Sequence, residues 1–456
     1  MVDQNKSAPA PESAGGGERF SQSGFIFAAI GSAVGLGNMW KFPYITGKYG
    51  GAAFFLMFIV CLLAVGLPVL MAELTIGRGG RGSVSTSFNR LTKKKGWGTL
   101  GFLMVLAPFL ILSFYAVIAG WTLYYAVQSF SGNLFSNSDY SATFGSFIGS
   151  WQPVWWMLLA LVLTAFVIIK GVSSGIEKFN KILIPGLVIL LVALVIRALT
   201  LKGAGDGVSF FLEPDFSKLT AQSALIALGH AFFSLSLGMG TMITYGAYVD
   251  KRQSLGVGTM AIGLGDLLYA LLAGLIIFPT SFAFGIEPGQ GPGLVFVALP
   301  AAFAAMPFGS LFGGLFFVLL AFAALTSTVG LLEVPVAFVR ERFGWSRGKS
   351  VIIITLLIFI IGIPSAVSVG GAVDISFGHK TFFDWMDFIC SYILLPVGGL
   401  IVTIFVGWIW RDAAKEAGVK SSWLYVWLFM VRYIAPILVL LVLLHSTGAL
   451  DFLFKE

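Results

Sequence analysis

The amino-acid sequence predicts an all-α polytopic membrane protein with about eleven transmembrane helices. Composition is the first reason. Of the 456 residues, 57% are hydrophobic and only 11% are charged, whereas about a quarter of the residues in a soluble domain carry charge. The mean hydropathy of +0.93 agrees with this interpretation. The second reason is that apolar residues form runs of about 20 residues, the length that a helix needs to cross a bilayer.

The apolar runs define the order of elements. The segment 1–20 is polar and rich in Pro, Gly and Ser, so we expect a disordered tail on the cytoplasmic side. The runs then follow near 24–46, 52–76, 98–130, 153–170, 176–199, 220–249, 256–285, 309–339, 350–368, 381–410 and 422–446.

Basic residues are divided unevenly between the connections, which predicts the orientation. The connection after the third run carries one charge, Asp139, whereas those after the second and eighth runs are rich in Lys and Arg. Cytoplasmic loops are enriched in these residues, so the N-terminus is expected in the cytoplasm and the C-terminus outside. The same bias explains the net charge of +7 without a nucleic-acid partner.

Two apolar runs contain residues that disfavour a continuous helix. The first holds GSAVGLGNMWKFP (31–43) and the sixth holds FFSLSLGMG (232–240). Glycine-interrupted helices at corresponding positions indicate inverted repeats with a binding site where the breaks meet. We therefore predict a first repeat at 21–200 and a second at 201–411, followed by helix 11 and the C-terminal end at 412–456. The alternative is that these glycines only allow close helix packing.

Polar side chains near these breaks supply oxygen atoms that suit a hard cation. Asn38 and Ser234 lie in the two breaks, Asp266 lies in the seventh run, and Thr326 and Ser327 lie in the eighth. A carboxylate at membrane depth requires a cation, a partner or a proton, so Asp266 is a candidate functional residue. Its alternative role is that of a protonated hydrogen-bond acceptor. These residues predict a secondary transporter for a small solute, coupled to a cation.

Six stretches, in this order along the chain, resemble the neurotransmitter:sodium symporters. They are GSAVGLGNMWKFP, GLPVLMAELTIGR, GVSSGIEKFNKILIP, FFSLSLGMGTMITYGAY, FAALTSTVG and DWMDFICSYILLP. The resemblance covers nearly the whole membrane region and is strongest to bacterial members that carry hydrophobic amino acids. It implies a protein of the bacterial inner membrane that takes up such amino acids together with Na⁺ by alternating access.

The resemblance also implies residue roles. A first sodium site would use Ala33, Asn38, Ser234 and Asp266 with the carboxylate of the substrate. A second sodium site would use Gly31, Val34, Ala323, Thr326 and Ser327. The substrate would contact Ala33, Gly35, Gly37, Ile111, Tyr115, Phe233, Ser234, Ser236, Met239 and Leu331. Glu73 would support the broken backbone.

The residue at position 35 carries information on the substrate. The amine transporters of this family place an aspartate where this chain has Gly35, so here the carboxylate has to come from the substrate itself, as in an α-amino acid. No chloride requirement is expected, because Asp266 supplies the negative charge. An outer gate is expected between Lys41 and Asp387, and an inner gate between Arg19 and Glu341.

Other functions remain as alternatives. One is a proton-coupled amino-acid carrier of the same fold, in which Asp266 or His230 carries the proton. Another is a non-transporting amino-acid sensor. An enzyme is not expected, because no nucleophile–base constellation or metal-ligand cluster stands out. The sequence leaves the oligomeric state open.

Overall fold

The computed structural model describes residues 19–136, 138–287, 289, 293–418 and 421–450. Ten helices in this part of the chain are long and apolar enough to cross a membrane: Gln22–Lys48, Ala52–Gly80, Trp97–Phe130, Gln152–Ile169, Val172–Leu199, Leu255–Ala283, Gly309–Phe343, Arg347–Ser368, Phe382–Ile409 and Trp423–Ser446. The sixth apolar run forms two shorter helices, Ala221–Ser234 and Thr241–Ala247. We number these eleven elements as spans 1 to 11 in chain order, so the divided element is span 6.

This arrangement confirms the predicted fold class of about eleven spans with broken helices 1 and 6. Residues 1–18 of the predicted tail lie outside the described residues. The repeat boundaries near residues 200 and 411 stay a prediction.

Short elements connect the spans. Helices lie at Val84–Leu91, Tyr140–Ile148, Ala204–Leu212, Leu294–Ala304 and Ala413–Ala417, and 3₁₀ turns lie at Asn133–Phe135 and Phe216–Lys218. Strands Ser376–Phe377 and Lys380–Thr381 form an antiparallel pair outside span 10.

The spans differ in how much of their surface other spans cover. In span 8, 83% of the most apolar window is buried within the protein, against 28% in span 11. Apolar side chains on the outer spans are exposed, including Val60, Trp155 and Ile189. Because an exposed apolar belt of this kind is stable only in contact with lipid, the outer spans face the bilayer and span 8 lies in the centre.

Span 1 is interrupted between its helices Gln22–Ala33 and Phe42–Lys48, which are joined by a π-helical turn at Gly37–Lys41. Val34 adopts an extended conformation with ψ of 96°, which ends the first helix. The chain then re-enters a helical path with Pro43 in the first turn, where proline is tolerated.

Span 6 is interrupted between Ser234 and Thr241. Three residues in this break have positive φ: Ser236 at 54°, Gly238 at 78° and Gly240 at 73°. Gly238 also lies against the backbone of span 10, since a Cβ atom at this position would lie 2.1 Å from the Leu395 carbonyl oxygen. A Cβ at Gly398 would in turn lie 1.9 Å from the Gly238 carbonyl oxygen. The break therefore requires glycine on both sides of a backbone contact.

Candidate functional site

The broken backbone finds hydrogen-bond partners among buried side chains. In span 1, the Gly35 N–H donates to Asn38 Oδ1 at 3.4 Å, and the Leu36 N–H donates to the Tyr115 hydroxyl at 3.1 Å. In span 6, the Gly238 N–H donates to Glu73 Oε1 at 2.7 Å. These contacts offset the cost of freeing backbone groups at membrane depth.

Glu73 supports a stability prediction. Glu73→Ala leaves the buried Gly238 N–H without an acceptor, so we expect a loss of about 1–3 kcal/mol of stability. Glu73→Gln keeps a side-chain oxygen at the same place and should retain most of the stability. The melting temperatures of both purified variants, measured by size-exclusion chromatography after heating, test this prediction. Equal melting temperatures for the two variants would contradict it.

The two breaks contact each other directly. The Ser236 hydroxyl donates to the Ser32 carbonyl oxygen at 2.9 Å, and the Ser32 hydroxyl donates to Ser236 Oγ at 3.4 Å. Span 8 closes over this contact, since a Cβ at Gly330 would lie 2.6 Å from Ser32 Oγ. The breaks therefore meet in the protein interior, beside spans 3 and 8.

A small cavity lies at this meeting point. All ten residues predicted to contact the substrate line it: Ala33, Gly35, Gly37, Ile111, Tyr115, Phe233, Ser234, Ser236, Met239 and Leu331. Ser32 and Ser327 complete the wall. Ser32 was not predicted as a lining residue, because nothing in its local sequence distinguishes it from a serine that bonds within its own helix.

A first cluster of oxygen atoms lies beside this cavity. Asn38 Nδ2 donates to Ser234 Oγ at 3.0 Å and to Asp266 Oδ1 at 2.8 Å. The Ser234 hydroxyl donates to the same carboxylate oxygen at 2.5 Å. Asp266 Oδ2 is buried and has no hydrogen-bond partner among the described residues. A carboxylate oxygen in this state is a ready acceptor for a cation.

A second cluster of oxygen atoms joins span 1 to span 8. The Thr326 hydroxyl donates to the Ala323 carbonyl oxygen at 3.0 Å, and the Ser327 hydroxyl donates to the same oxygen and to the Ser32 carbonyl, each at 3.3 Å. Gly31 packs against Thr326, since a Cβ at Gly31 would lie 3.3 Å from Thr326 Cβ. Val34, whose backbone is extended, lies three residues after Gly31 in the same segment of span 1. Neutral oxygens of this kind suit Na⁺.

The two residues predicted to form an outer gate lie close to the central cavity. Lys41 and Asp387 both line a cavity of about 220 Å³ that also includes Phe233. The Lys41 ammonium lies 5.0 Å from the centroid of the Phe233 ring, and Asp387 Oδ1 accepts from the Ser391 hydroxyl at 2.7 Å. Among the described residues, no direct ion pair joins Lys41 to Asp387.

Arg19 and Glu341, the residues predicted to form an inner gate, do not pair with each other in this structure. Arg19 pairs with Asp250 at 2.6 Å, and Glu341 pairs with Arg90 at 3.1 Å. Glu341 Oε2 also accepts from the Ser83 N–H, so the connection after span 2 occupies it. The backbone N–H of Arg252 and the Arg19 guanidinium hold the pKa of Asp250 below its usual value, which keeps this carboxylate charged.

A buried network on the same side was not predicted. Glu333 Oε1 accepts from the Tyr248 hydroxyl at 2.7 Å, and Glu333 Oε2 accepts from Arg347 at 2.6 Å. Phe20 packs edge-on against Tyr248 with ring centroids 5.8 Å apart. These contacts connect spans 6, 8 and 9 to the residues that precede span 1.

Comparison with known proteins decides the family. Residues 18–141 and 143–452 match the sodium:neurotransmitter symporter family. The chain belongs to this family. It is 39% identical over 448 residues to a sodium-dependent transporter of Bacillus subtilis, with 95% of this chain and 98% of the relative covered. It is 34% identical over 448 residues to a sodium-dependent transporter of Methanocaldococcus jannaschii, with 92% and 88% covered.

A solved structure extends the comparison. The crystal structure of MhsT in complex with L-phenylalanine matches this symporter with a TM-score of 0.88 and 44% sequence identity, over 94% of this chain and 99% of the other. A sodium- and chloride-dependent GABA transporter of Drosophila melanogaster is 26% identical over 455 residues, with 87% of this chain and 47% of that protein covered. The protein is therefore a multi-pass, sodium-dependent symporter rather than an enzyme.

Proposed function

We propose that this symporter takes up hydrophobic and aromatic L-amino acids together with Na⁺ and without chloride, in a bacterial inner membrane. The observation that carries the proposal is the Asp266 carboxylate, which is held by Asn38 and Ser234 at the edge of the central cavity with one oxygen unpartnered. We also propose that the N-terminus lies in the cytoplasm and that the C-terminus lies outside the cell. The MhsT complex with L-phenylalanine supports this class of substrate.

The substrate carboxylate is assigned to the span 1 end of the cavity. Gly35 and Gly37 have no side chains there, and the Tyr115 hydroxyl lies beside them. A substrate carboxylate would complete the first sodium site with Ala33, Asn38, Ser234 and Asp266. Na⁺ and the carboxylate then stabilise each other, because opposite charges interact strongly away from water. An amine without a carboxylate lacks this contribution.

The substrate side chain is assigned to the apolar end of the cavity. Ile111, Phe233, Met239 and Leu331 line it, and burial of apolar groups there contributes about 0.8 kcal/mol per methylene. Selectivity for large apolar side chains follows from this lining. The second proposed sodium ion is held by Gly31, Val34, Ala323, Thr326 and Ser327.

Chloride independence is proposed from the charges around the first cluster. Asp266 already supplies a fixed negative charge there. The resemblance to the family implies that a chloride site would include the positions of Phe58, His230 and Ala270. Here Phe58 and His230 pack against each other with ring centroids 5.4 Å apart, and Ala270 has no polar side-chain atom. With the Asp266 carboxylate beside the first sodium site, no bound chloride is needed to balance the charge of the sodium ion.

Uptake into liposomes tests the proposal. Radiolabelled phenylalanine, tryptophan and leucine should accumulate under an inward Na⁺ gradient, and K⁺ in place of Na⁺ should reduce uptake to that of protein-free liposomes. Gluconate in place of chloride should leave uptake unchanged. Glycine and glutamate serve as controls, because neither fills the apolar end of the cavity.

Each other outcome has a definite meaning. Uptake that ignores Na⁺ but follows a pH gradient would replace this proposal with proton coupling. Uptake lost in gluconate would show that chloride is required. Accumulation of glycine in preference to phenylalanine would contradict the proposed substrate class.

A further inference from the structure

Asn180, on span 5, has a buried side chain that none of the predicted sites includes. Its exposed fraction is 0%. Its Nδ2 donates to the Ile176 carbonyl oxygen at 2.9 Å, whereas its Oδ1 has no hydrogen-bond partner among the described residues. A buried amide oxygen without a donor is costly, so its surroundings decide whether a bound ion can satisfy it.

The position of this oxygen indicates which ligand. A Cβ atom at Gly31 would lie 2.0 Å from Asn180 Oδ1, which means that the oxygen contacts the Gly31 backbone. Thr326 contacts Gly31 as well, since a Cβ atom at Gly31 would lie 3.3 Å from Thr326 Cβ. Asn180 Oδ1 therefore lies against the second oxygen cluster, on the side of that cluster that faces span 5.

The chemistry of the group fits a sodium ion. A carboxamide oxygen is a neutral, strongly dipolar ligand of the same kind as the carbonyl and hydroxyl oxygens of the second cluster. The other end of the amide is engaged with Ile176, so the oxygen cannot be replaced by the nitrogen without loss of that bond. The bond fixes the orientation in which the oxygen is directed away from its own helix.

Asn180 is hydrogen-bonded to a turn that also contacts the beginning of span 1. Ile176 belongs to the π-helical turn Val172–Glu177. In the same turn, Glu177 accepts from the Ser21 N–H at 2.9 Å and from the Ser21 hydroxyl at 2.6 Å, at the beginning of the first helix of span 1. A displacement of this turn therefore moves both the start of span 1 and the Asn180 oxygen.

We propose that Asn180 Oδ1 is an additional ligand for the sodium ion of the second site, which holds that ion at the boundary between the site and span 5. This inference rests on the proposed second sodium site. Asn180 Oδ1 then contacts the transported ion directly, and the hydrogen bond to the Ile176 carbonyl oxygen orients the amide for this contact.

The test measures sodium affinity through the Na⁺-dependent rise in melting temperature of the purified protein, at constant ionic strength with K⁺. Asn180→Leu removes the oxygen at similar volume, and we expect the Na⁺ concentration for half-maximal stabilisation to rise about fivefold. Asn180→Asp keeps an oxygen and adds charge, so this concentration should fall below that of the unmodified protein. Repeating both in an Asp266→Asn background isolates the second site.

Thr355→Val is the matched control, because it also removes a buried oxygen that has no hydrogen-bond partner in the described part of the chain. Thr355 lies on span 9, which contributes to neither cluster. It should leave the sodium response unchanged. A folded Asn180→Leu variant with an unchanged response would overturn the inference and leave the proposed function intact. A protein whose unmodified form shows no Na⁺-dependent stabilisation would overturn both.

Discussion

Asp266→Asn is expected to abolish Na⁺-driven uptake while leaving the protein folded. The substitution keeps the shape of the side chain and an oxygen for Ser234 and Asn38, but it removes the negative charge next to the cavity. Loss of a charged contact of this kind costs about 3 kcal/mol, or about 100-fold in Na⁺ affinity for the first site. Substrate binding should weaken with it, because the two bind together.

Equilibrium binding of labelled phenylalanine across a series of Na⁺ concentrations measures this effect separately from transport. Asp206→Asn provides the control, since Asp206 is an exposed carboxylate in the connecting helix Ala204–Leu212. The interpretation of the first cluster as a sodium site fails if Asp266→Asn keeps the Na⁺ dependence of the unmodified protein. A proton-coupled carrier would instead show binding that responds to pH and not to Na⁺.

Gly35→Ala is expected to weaken substrate binding by about 10- to 100-fold, because overpacking of a tight site costs about 1–3 kcal/mol. The added methyl group would lie 2.4 Å from Ser327 Oγ and 3.0 Å from the Tyr115 hydroxyl. It would therefore occupy the place proposed for the substrate carboxylate. Competition binding with unlabelled phenylalanine at saturating Na⁺ measures the loss.

Gly186→Ala is the appropriate comparison for Gly35→Ala. Gly186 lies inside the helix of span 5, and the nearest atom to an added methyl group there is at 4.0 Å. This variant should bind and transport like the unmodified protein, and the helix should become slightly more stable. If Gly35→Ala matched it in substrate affinity, the carboxylate would have to bind elsewhere.

The glycine pattern of the sequence predicts which helices break, and the resemblance to the family implies which side chains meet at the breaks. Asn38, Ser234 and Asp266 lie far apart in the chain, yet their motifs specify them, because a polar residue in an apolar run has few possible functions. Glycine and proline patterns likewise predict interruptions from local chemistry alone. These features depend on short segments and on the absence of water.

Contacts decided by three-dimensional packing were not predictable in the same way. Arg19 pairs with Asp250 rather than Glu341, because the connection after span 2 brings Arg90 to Glu341. The partners of Glu333 come from spans 6 and 9, and no local pattern specifies them. Asn180 resembles any asparagine that bonds back along its own helix. Its open oxygen becomes apparent only when the position of Gly31 is known.

The backbone contact between Gly238 and span 10 has a mechanical consequence. Two backbone segments that touch without intervening side chains cannot adjust to each other by a change of rotamer. A displacement of the span 6 break is therefore transmitted to Leu395 and Gly398 as a rigid movement. Span 10 also carries Asp387, which lines a cavity together with Lys41 and Phe233. A rearrangement at the span 6 break therefore reaches the segment that carries Asp387 through main-chain atoms.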